Sequence, residues 1–206
     1  MKPYYLKLNH EMLAWAVLQR TATRRLDLMY SELIEYDMAI IKPCLPQEVE
    51  SVLDIGCGIA AIDARLHGLY PDADFYLLDK SALDVQYGEA TEHVFYTSLQ
   101  TALRMMVNNG VPVKQVHLLE AADDYVIPSD TKVDLALSLF AWGWHFPLGK
   151  YAEEVARLVK PGGLLIVDIR NDEGEEILLE SFDLETALDL FDGTRRFYRR
   201  KNVIHS

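Results

Sequence analysis

The chain predicts an α/β fold on a largely parallel sheet, and three observations predict it. Short apolar runs alternate with stretches of helical periodicity. One of these runs, residues 51–55, passes directly into Gly56-Cys57-Gly58, and the next, Phe75-Tyr76-Leu77-Leu78, closes on Asp79. A third, residues 133–139, is almost wholly apolar, as a strand covered on both faces should be.

Helices are expected over 8–20 and 24–42. In the second, Leu26, Met29, Tyr30, Leu33, Ile34, Ile40 and Ile41 recur at helical spacing, and Pro43 and Pro46 end it. Strand 51–55 leads to a helix over 59–69, broken at Tyr70-Pro71-Asp72. Strand 74–78 follows, then a helix over 93–108 that Asn108-Asn109-Gly110 stops. Strands 114–119 and 133–139 come next, then a helix over 149–159. Lys160-Pro161-Gly162-Gly163 turns the chain into strand 164–169. A helix over 175–182 precedes two strands, 186–191 and 195–201, that flank Asp192-Gly193, a hairpin signal. Residues 1–47 read as an N-terminal helical cap and 48–206 as one compact domain.

The 206 residues, half of them hydrophobic, suit one domain with its own core. The formal net charge of −12 repels phosphate backbones and anionic membranes, so neither nucleic acid nor membrane is expected as a partner. One basic run, Arg195, Arg196, Arg199, Arg200 and Lys201, interleaves with Phe197 and Tyr198 and reads as strand-surface charge. Cys44 and Cys57 suggest no disulfide framework. The N-terminus carries no secretory apolar segment and no run approaches membrane-spanning length, so a cytoplasmic location is expected.

Gly56 and Gly58 lack Cβ atoms, which lets a ligand approach the main chain. A helix starting near Ile59 adds oriented N–H groups. An acid ending the second strand lies where ribose hydroxyls would sit. Together these point to a nucleoside-containing cofactor. Gly56-Cys57-Gly58-Ile59-Ala60-Ala61 also satisfies a relaxed dinucleotide pattern. Three features favour S-adenosylmethionine instead: Asp54 stands two residues before Gly56, the chain ends in a hairpin, and no second domain is present to hold a hydride acceptor.

Here the chain resembles the class I S-adenosylmethionine-dependent methyltransferases. The matching segments are Val52-Leu53-Asp54-Ile55-Gly56-Cys57-Gly58, Asp79, Val133-Asp134-Leu135-Ala136-Leu137-Ser138 and residues 158–166. The resemblance implies a Rossmann-like sandwich: a seven-stranded, mostly parallel sheet of order 3-2-1-4-5-7-6 with helices on both faces. It implies that Gly56, Cys57 and Gly58 line the methionine half of the cofactor and that Asp54 helps hold its ammonium. Asp79 would take the ribose hydroxyls, with Lys80 beside it, and Glu120, Ala121 and Ala122 would edge the adenine. Ser138 would sit at the end of the fourth strand, also beside the cofactor. Ala60 departs from the family's third glycine.

Methyl transfer from a sulfonium needs chiefly a positioned nucleophile, and a hydroxyl acceptor also needs a base. The segment after the fourth strand, Ser138 to Pro147, holds Trp142, Trp144, His145 and Phe146. His145 titrates near neutrality and is the candidate base. Trp142 and Trp144 are candidates to wall an acceptor pocket. This loop also looks like a segment of sugar O-methyltransferases. In related enzymes an N-terminal extension shapes the acceptor pocket, which nominates Tyr30; Tyr30, Tyr36, Arg24 or Arg25 would reach the cofactor carboxylate. No metal is expected: Asp168, Asn171 and Asp172 would suit a divalent ion, but Ser138 lacks the companion carboxylate, and no Cys/His cluster has zinc spacing. The expected activity is methylation of a small molecule, with a sugar or other hydroxyl compound as acceptor. A non-catalytic module that binds the cofactor is the alternative, and a nicotinamide oxidoreductase a further one. Oligomeric state is not legible.

Overall fold

The computed structural model describes residues 26–81 and 98–202. Helix α1 covers Leu26–Ile41 and passes into a short 3-10 turn at Lys42–Cys44, where Pro43 ends it. Strand β1 is Ser51–Ile55, α2 Ala61–His67, β2 Asp74–Asp79, α3 Leu99–Asn108 and β3 Val116–Glu120. Then come β4 Val133–Ser138, β5 Ala141–Phe146, α4 Ala152–Leu158, β6 Val159–Ile169, α5 Glu175–Ser181, β7 Phe182–Leu190 and β8 Gly193–Arg200. The helix expected over 8–20, and the start of the one expected over 93–108, lie outside the described residues.

Seven strands form one sheet in the order β3-β2-β1-β4-β6-β8-β7. β1, β2, β3, β4 and β6 pair in parallel, whereas β8 runs antiparallel to both β6 and β7. With β5 left out of the count, this is the expected order 3-2-1-4-5-7-6. Strand periodicity divides the core between two faces. On one, Val52, Phe75 and Leu77 pack with Ile34, Met38 and Ile41 of α1, Leu66 of α2, and Met105 and Met106 of α3. On the other, Leu53, Leu165 and Tyr198 pack with Val155 and Leu158 of α4 and Leu178 of α5.

Two expectations need correction. The segment after β4 is not a loop but strand β5, whose aromatic residues favour extended backbone. Phe140, at φ +56°, reverses the chain ahead of it. The N–H groups of Arg170 and Asn171 both donate to Gly143 O (2.9 and 3.0 Å). β5 therefore crosses the end of β6 so closely that a Cβ at Gly143 would lie 2.9 Å from Asp168 O.

Arg195 is the second correction. It is fully buried, not a surface charge. Its Nε and Nη2 donate to the two carboxylate oxygens of Asp168 (2.6 and 2.8 Å), and Nη2 also donates to Asp37 of α1 (3.1 Å). Arg195 shares a strand face with Phe197, and that face points inward; the partner acids offset the desolvation of the cation.

Candidate active site

The site sits at the carboxyl ends of the parallel strands, where β1 and β2 stop. The turn after β1 is held from beneath by β2. Gly56 N–H and Cys57 N–H donate to Leu78 O (2.8 and 3.1 Å), and Ala60 N–H donates to Cys57 O (2.8 Å). Gly56 has φ +77°, and a Cβ there would fall 2.3 Å from Ala141 Cβ, so only glycine fits between turn and β5. Ala60, where the family's third glycine would be, adopts the left-handed conformation at φ +56° and caps α2.

Asp79 binds this turn directly. Its Oδ2 accepts from Gly58 N–H (2.7 Å) and its Oδ1 from Lys80 N–H (2.7 Å). Burial nonetheless pushes its pKa up to about 7, with the two N–H donors pulling the other way and Glu120 adding to the rise. Lys80 Nζ reaches Asp123 Oδ1 (2.6 Å), and Ser81 N–H donates to Glu120 Oε1 (2.6 Å).

Beside the turn opens a cleft of about 580 Å³, its mouth included. Ile55, Gly56, Leu78, Asp79 and Lys80 line one side, and Ala121, Ala122 and Asp123 follow β3. Tyr125, Trp142, Phe146 and Tyr151, with Ala141, supply an aromatic wall. Tyr151 meets Tyr125 and Trp142 edge-on, at centroid distances of 5.4 and 6.1 Å, and Lys150 Nζ lies 4.8 Å from the Tyr125 ring centre. Burial raises the Tyr151 hydroxyl to about 12, so it stays a neutral donor at ordinary pH.

Of the residues nominated from sequence, Gly56, Asp79, Lys80, Ala121, Ala122 and Trp142 line this cleft. Trp142 is also a core residue, 1% exposed, whose Nε1–H donates to Leu148 O (3.0 Å). Cys57 and Gly58 form the turn behind it. Glu120 supports the β2 exit through Ser81. Ser138 is fully buried, donating to Ile55 O (2.7 Å) and accepting from Trp142 N–H (2.9 Å); it ties β1 to β5. Trp144 lies elsewhere, edge-on to Phe140 at 5.0 Å with the Arg170 guanidinium 5.8 Å from its centre. His145 is half-buried and is not among the lining residues. Tyr30 belongs to α1, but its side chain is outside the described residues, as are Arg24 and Arg25. Asp54 is buried in β1 and is not among the lining residues; burial first, and then the charge of Asp63 on α2, raise its pKa well above the carboxylate range.

Tyr125 and Tyr151 were missed. Tyr151 opens α4 directly after the aromatic segment, a proximity that could have flagged it. Tyr125 lies in a polar stretch with no periodic signal and adopts φ +60°.

No family model matches the sequence, and no curated protein does. Solved structures do match. One is the PH0226 protein from Pyrococcus horikoshii, at 14% identity and a TM-score of 0.64, over 95% of this chain and all of that one. Another is an O-methyltransferase family protein from Burkholderia thailandensis, at 12% identity and 0.59, over 86% of this chain and 60% of that one. A third is the N-methyltransferase NodS from Bradyrhizobium japonicum, at 12% identity and 0.54, over 85% and 96%. The fold is that of the class I methyltransferases. The chain spans 61% of the length of a matching Nostoc punctiforme protein. Within that fold, the glycine turn, Asp79 and the aromatic wall occupy the carboxyl edge of the sheet, where open α/β sheets bind ligands.

Proposed function

We propose that the protein is an S-adenosylmethionine-dependent methyltransferase acting on a small hydroxyl compound, such as a sugar. The observation that carries this reading is the Asp79 carboxylate, bonded to Gly58 and Lys80 N–H at the mouth of a cleft with an aromatic wall. The residues present fit the cofactor. Gly56 leaves a cradle that any Cβ would fill, and Asp79 retains lone pairs for ribose hydroxyls. Tyr125, Trp142, Phe146 and Tyr151 offer ring faces and edges to a purine. When bound, S-adenosylmethionine supplies an activated methyl group on a good leaving group. The chain's part is then to orient the acceptor and exclude water. Its net charge of −12 favours a neutral or cationic acceptor. His145 remains the proposed base, delivered from the far end of β5.

Calorimetry with S-adenosylhomocysteine and with NADH tests the cofactor. Binding of NADH alone would overturn the proposal. Transfer of labelled methyl to a panel of sugars, phenols and amines then tests the activity and the acceptor.

The non-catalytic reading keeps one observation in its favour: His145 does not line the cleft. It expects cofactor binding with no turnover on any acceptor, and a His145→Ala variant indistinguishable from the parent.

A further inference from the structure

β5 builds one wall of the cleft, contributing Ala141, Trp142 and Phe146 to its lining. The strand starts after Phe140 at φ +56° and bends again at Gly143, φ +82°. A bulky residue at positive φ is strained and persists only where its surroundings impose it. Two anchors do so. Ser138 Oγ, at the end of β4, accepts from Trp142 N–H (2.9 Å) and donates to Ile55 O (2.7 Å). Gly143 O, in the middle of β5, accepts from the N–H groups of Arg170 and Asn171 (2.9 and 3.0 Å), just beyond β6.

The second anchor is only as firm as the end of β6. Asp168 is the penultimate residue of that strand, and its carbonyl lies 2.9 Å from where a Cβ on Gly143 would be. Its carboxylate is held by Arg195 Nε and Nη2 (2.6 and 2.8 Å), and Nη2 continues to Asp37 of α1 (3.1 Å). Arg195 Cζ lies 5.9 Å from the centre of the Phe140 ring, and Nη1 makes no hydrogen bond among the described residues. One guanidinium therefore meets the end of β6, α1 and the reversal that launches β5. Apolar residues of similar volume would stabilise a core as well as three buried charges do. What they lack is direction: the planar fork of arginine fixes the orientation of the carboxylate it holds.

We propose that Arg195 is a positioning residue for the cofactor cleft: by tying Asp168 to Asp37 it fixes the end of β6 on which Gly143 rests, and so seats Ala141 and Trp142 beside the glycine turn. The identity of the ligand in that cleft rests on the cofactor reading above. Arg195 itself is fully buried and is not among the lining residues, so it acts through β5. The turn has no slack to absorb a shift of that strand, since a Cβ on Gly56 would fall 2.3 Å from Ala141 Cβ.

The test has two arms, both on the full chain. Amide hydrogen exchange at Arg170 and Asn171 reads the anchor, and exchange in β1 and β4 reads global opening. Arg195→Lys keeps the charge and loses the fork. In that variant, protection at Arg170 and Asn171 should fall about tenfold further than in β1 and β4. Calorimetry should show the dissociation constant of S-adenosylhomocysteine raised by about tenfold, as a displaced wall requires. Asp37→Asn, which leaves the Arg195–Asp168 contact in place, should show the same pattern at smaller amplitude, and serves if Arg195→Lys does not fold. Protection lost uniformly across all these amides, or parental affinity in a variant whose Arg170 and Asn171 amides do open, would overturn this inference alone. A parent chain that binds no S-adenosylhomocysteine would overturn the cofactor reading; the exchange arm needs no ligand and would still decide whether Arg195 holds β5.

Discussion

Asp168 and Arg195 face each other across the β6–β8 pairing, both fully buried and joined by two hydrogen bonds of 2.6 and 2.8 Å. Arg195 Nη2 extends the link to Asp37, so one side chain connects α1 to the carboxyl edge of the sheet. Asp168 also accepts from the Phe140 backbone, at the reversal that launches β5. Removing the cation strands two acids in the core. Arg195→Met should cost about 3–5 kcal/mol of stability, the scale for breaking a buried pair from one side. Urea unfolding checks this, and a loss below about 1 kcal/mol would mean that the three groups are worth little together.

Gly56→Ala should both destabilise the fold and abolish cofactor binding. The new Cβ would meet Ala141 Cβ at 2.3 Å on a backbone at φ +77°. Strain at such a position is about 1–3 kcal/mol before the clash is counted. Thermal unfolding and titration with S-adenosylhomocysteine would read the two effects separately. A well-folded variant with parental affinity would remove the turn from the site.

Asp79→Ala should weaken S-adenosylhomocysteine binding by about 1–3 kcal/mol, the range for losing charge-assisted hydrogen bonds. It also leaves Gly58 N–H without its partner, so part of the loss comes from a looser turn. Unchanged affinity by calorimetry would contradict the ribose assignment.

The buried acids have a sign that stability measurements can read. Asp63 binds its proton more tightly in the folded chain, at about 6 against an ordinary 3.8, because burial disfavours its charge. Its proton-linked stabilisation is therefore full below pH 3.8 and is lost as pH climbs through 6. Asp54 and Asp79 act in the same direction. Asp134 opposes them: hydrogen bonds from Lys160, Glu50 and Ser51 outweigh its desolvation and lower its pKa, so its contribution vanishes in acid. Asp63→Asn should accordingly gain stability over the parent at pH 8 by at least about 1 kcal/mol, and the gain should shrink toward pH 4. Equal urea midpoints for the two proteins at both pH values would exclude the linkage.

Trp142→Phe separates the hydrogen bond from the packing. Losing the Nε1–H donation to Leu148 O should cost about 1–3 kcal/mol, because that carbonyl is left unpaired in the interior. Trp142→Ala should cost about 3–5 kcal/mol and open the aromatic wall. Denaturant titration orders the series.

The sheet order was legible because glycine turns, apolar strands and the Asp192-Gly193 hairpin are local signals. So were Gly56, Asp79 and Lys80, which the β1–turn–α2–β2 succession places without tertiary knowledge. Arg195 was not read correctly, although its two-residue spacing from the buried Phe197 put both on one strand face. What overrode the usual exposure of arginine was a pair of acids distant in sequence, Asp37 and Asp168. β5 was missed because its extended backbone depends on Gly143 approaching Asp168, a contact between segments. Trp142 and Trp144 lie two residues apart yet have different surroundings, since Trp142 packs toward Leu148 and Tyr151 while Trp144 packs against Phe140. Composition alone carries no trace of that division.

Ala60, in its left-handed conformation, closes a bend already braced by Leu78 and Asp79. Such a bend is a finished mould. A nucleoside entering it spends almost none of its interaction energy on ordering the main chain, so the affinity it achieves reflects the contacts themselves.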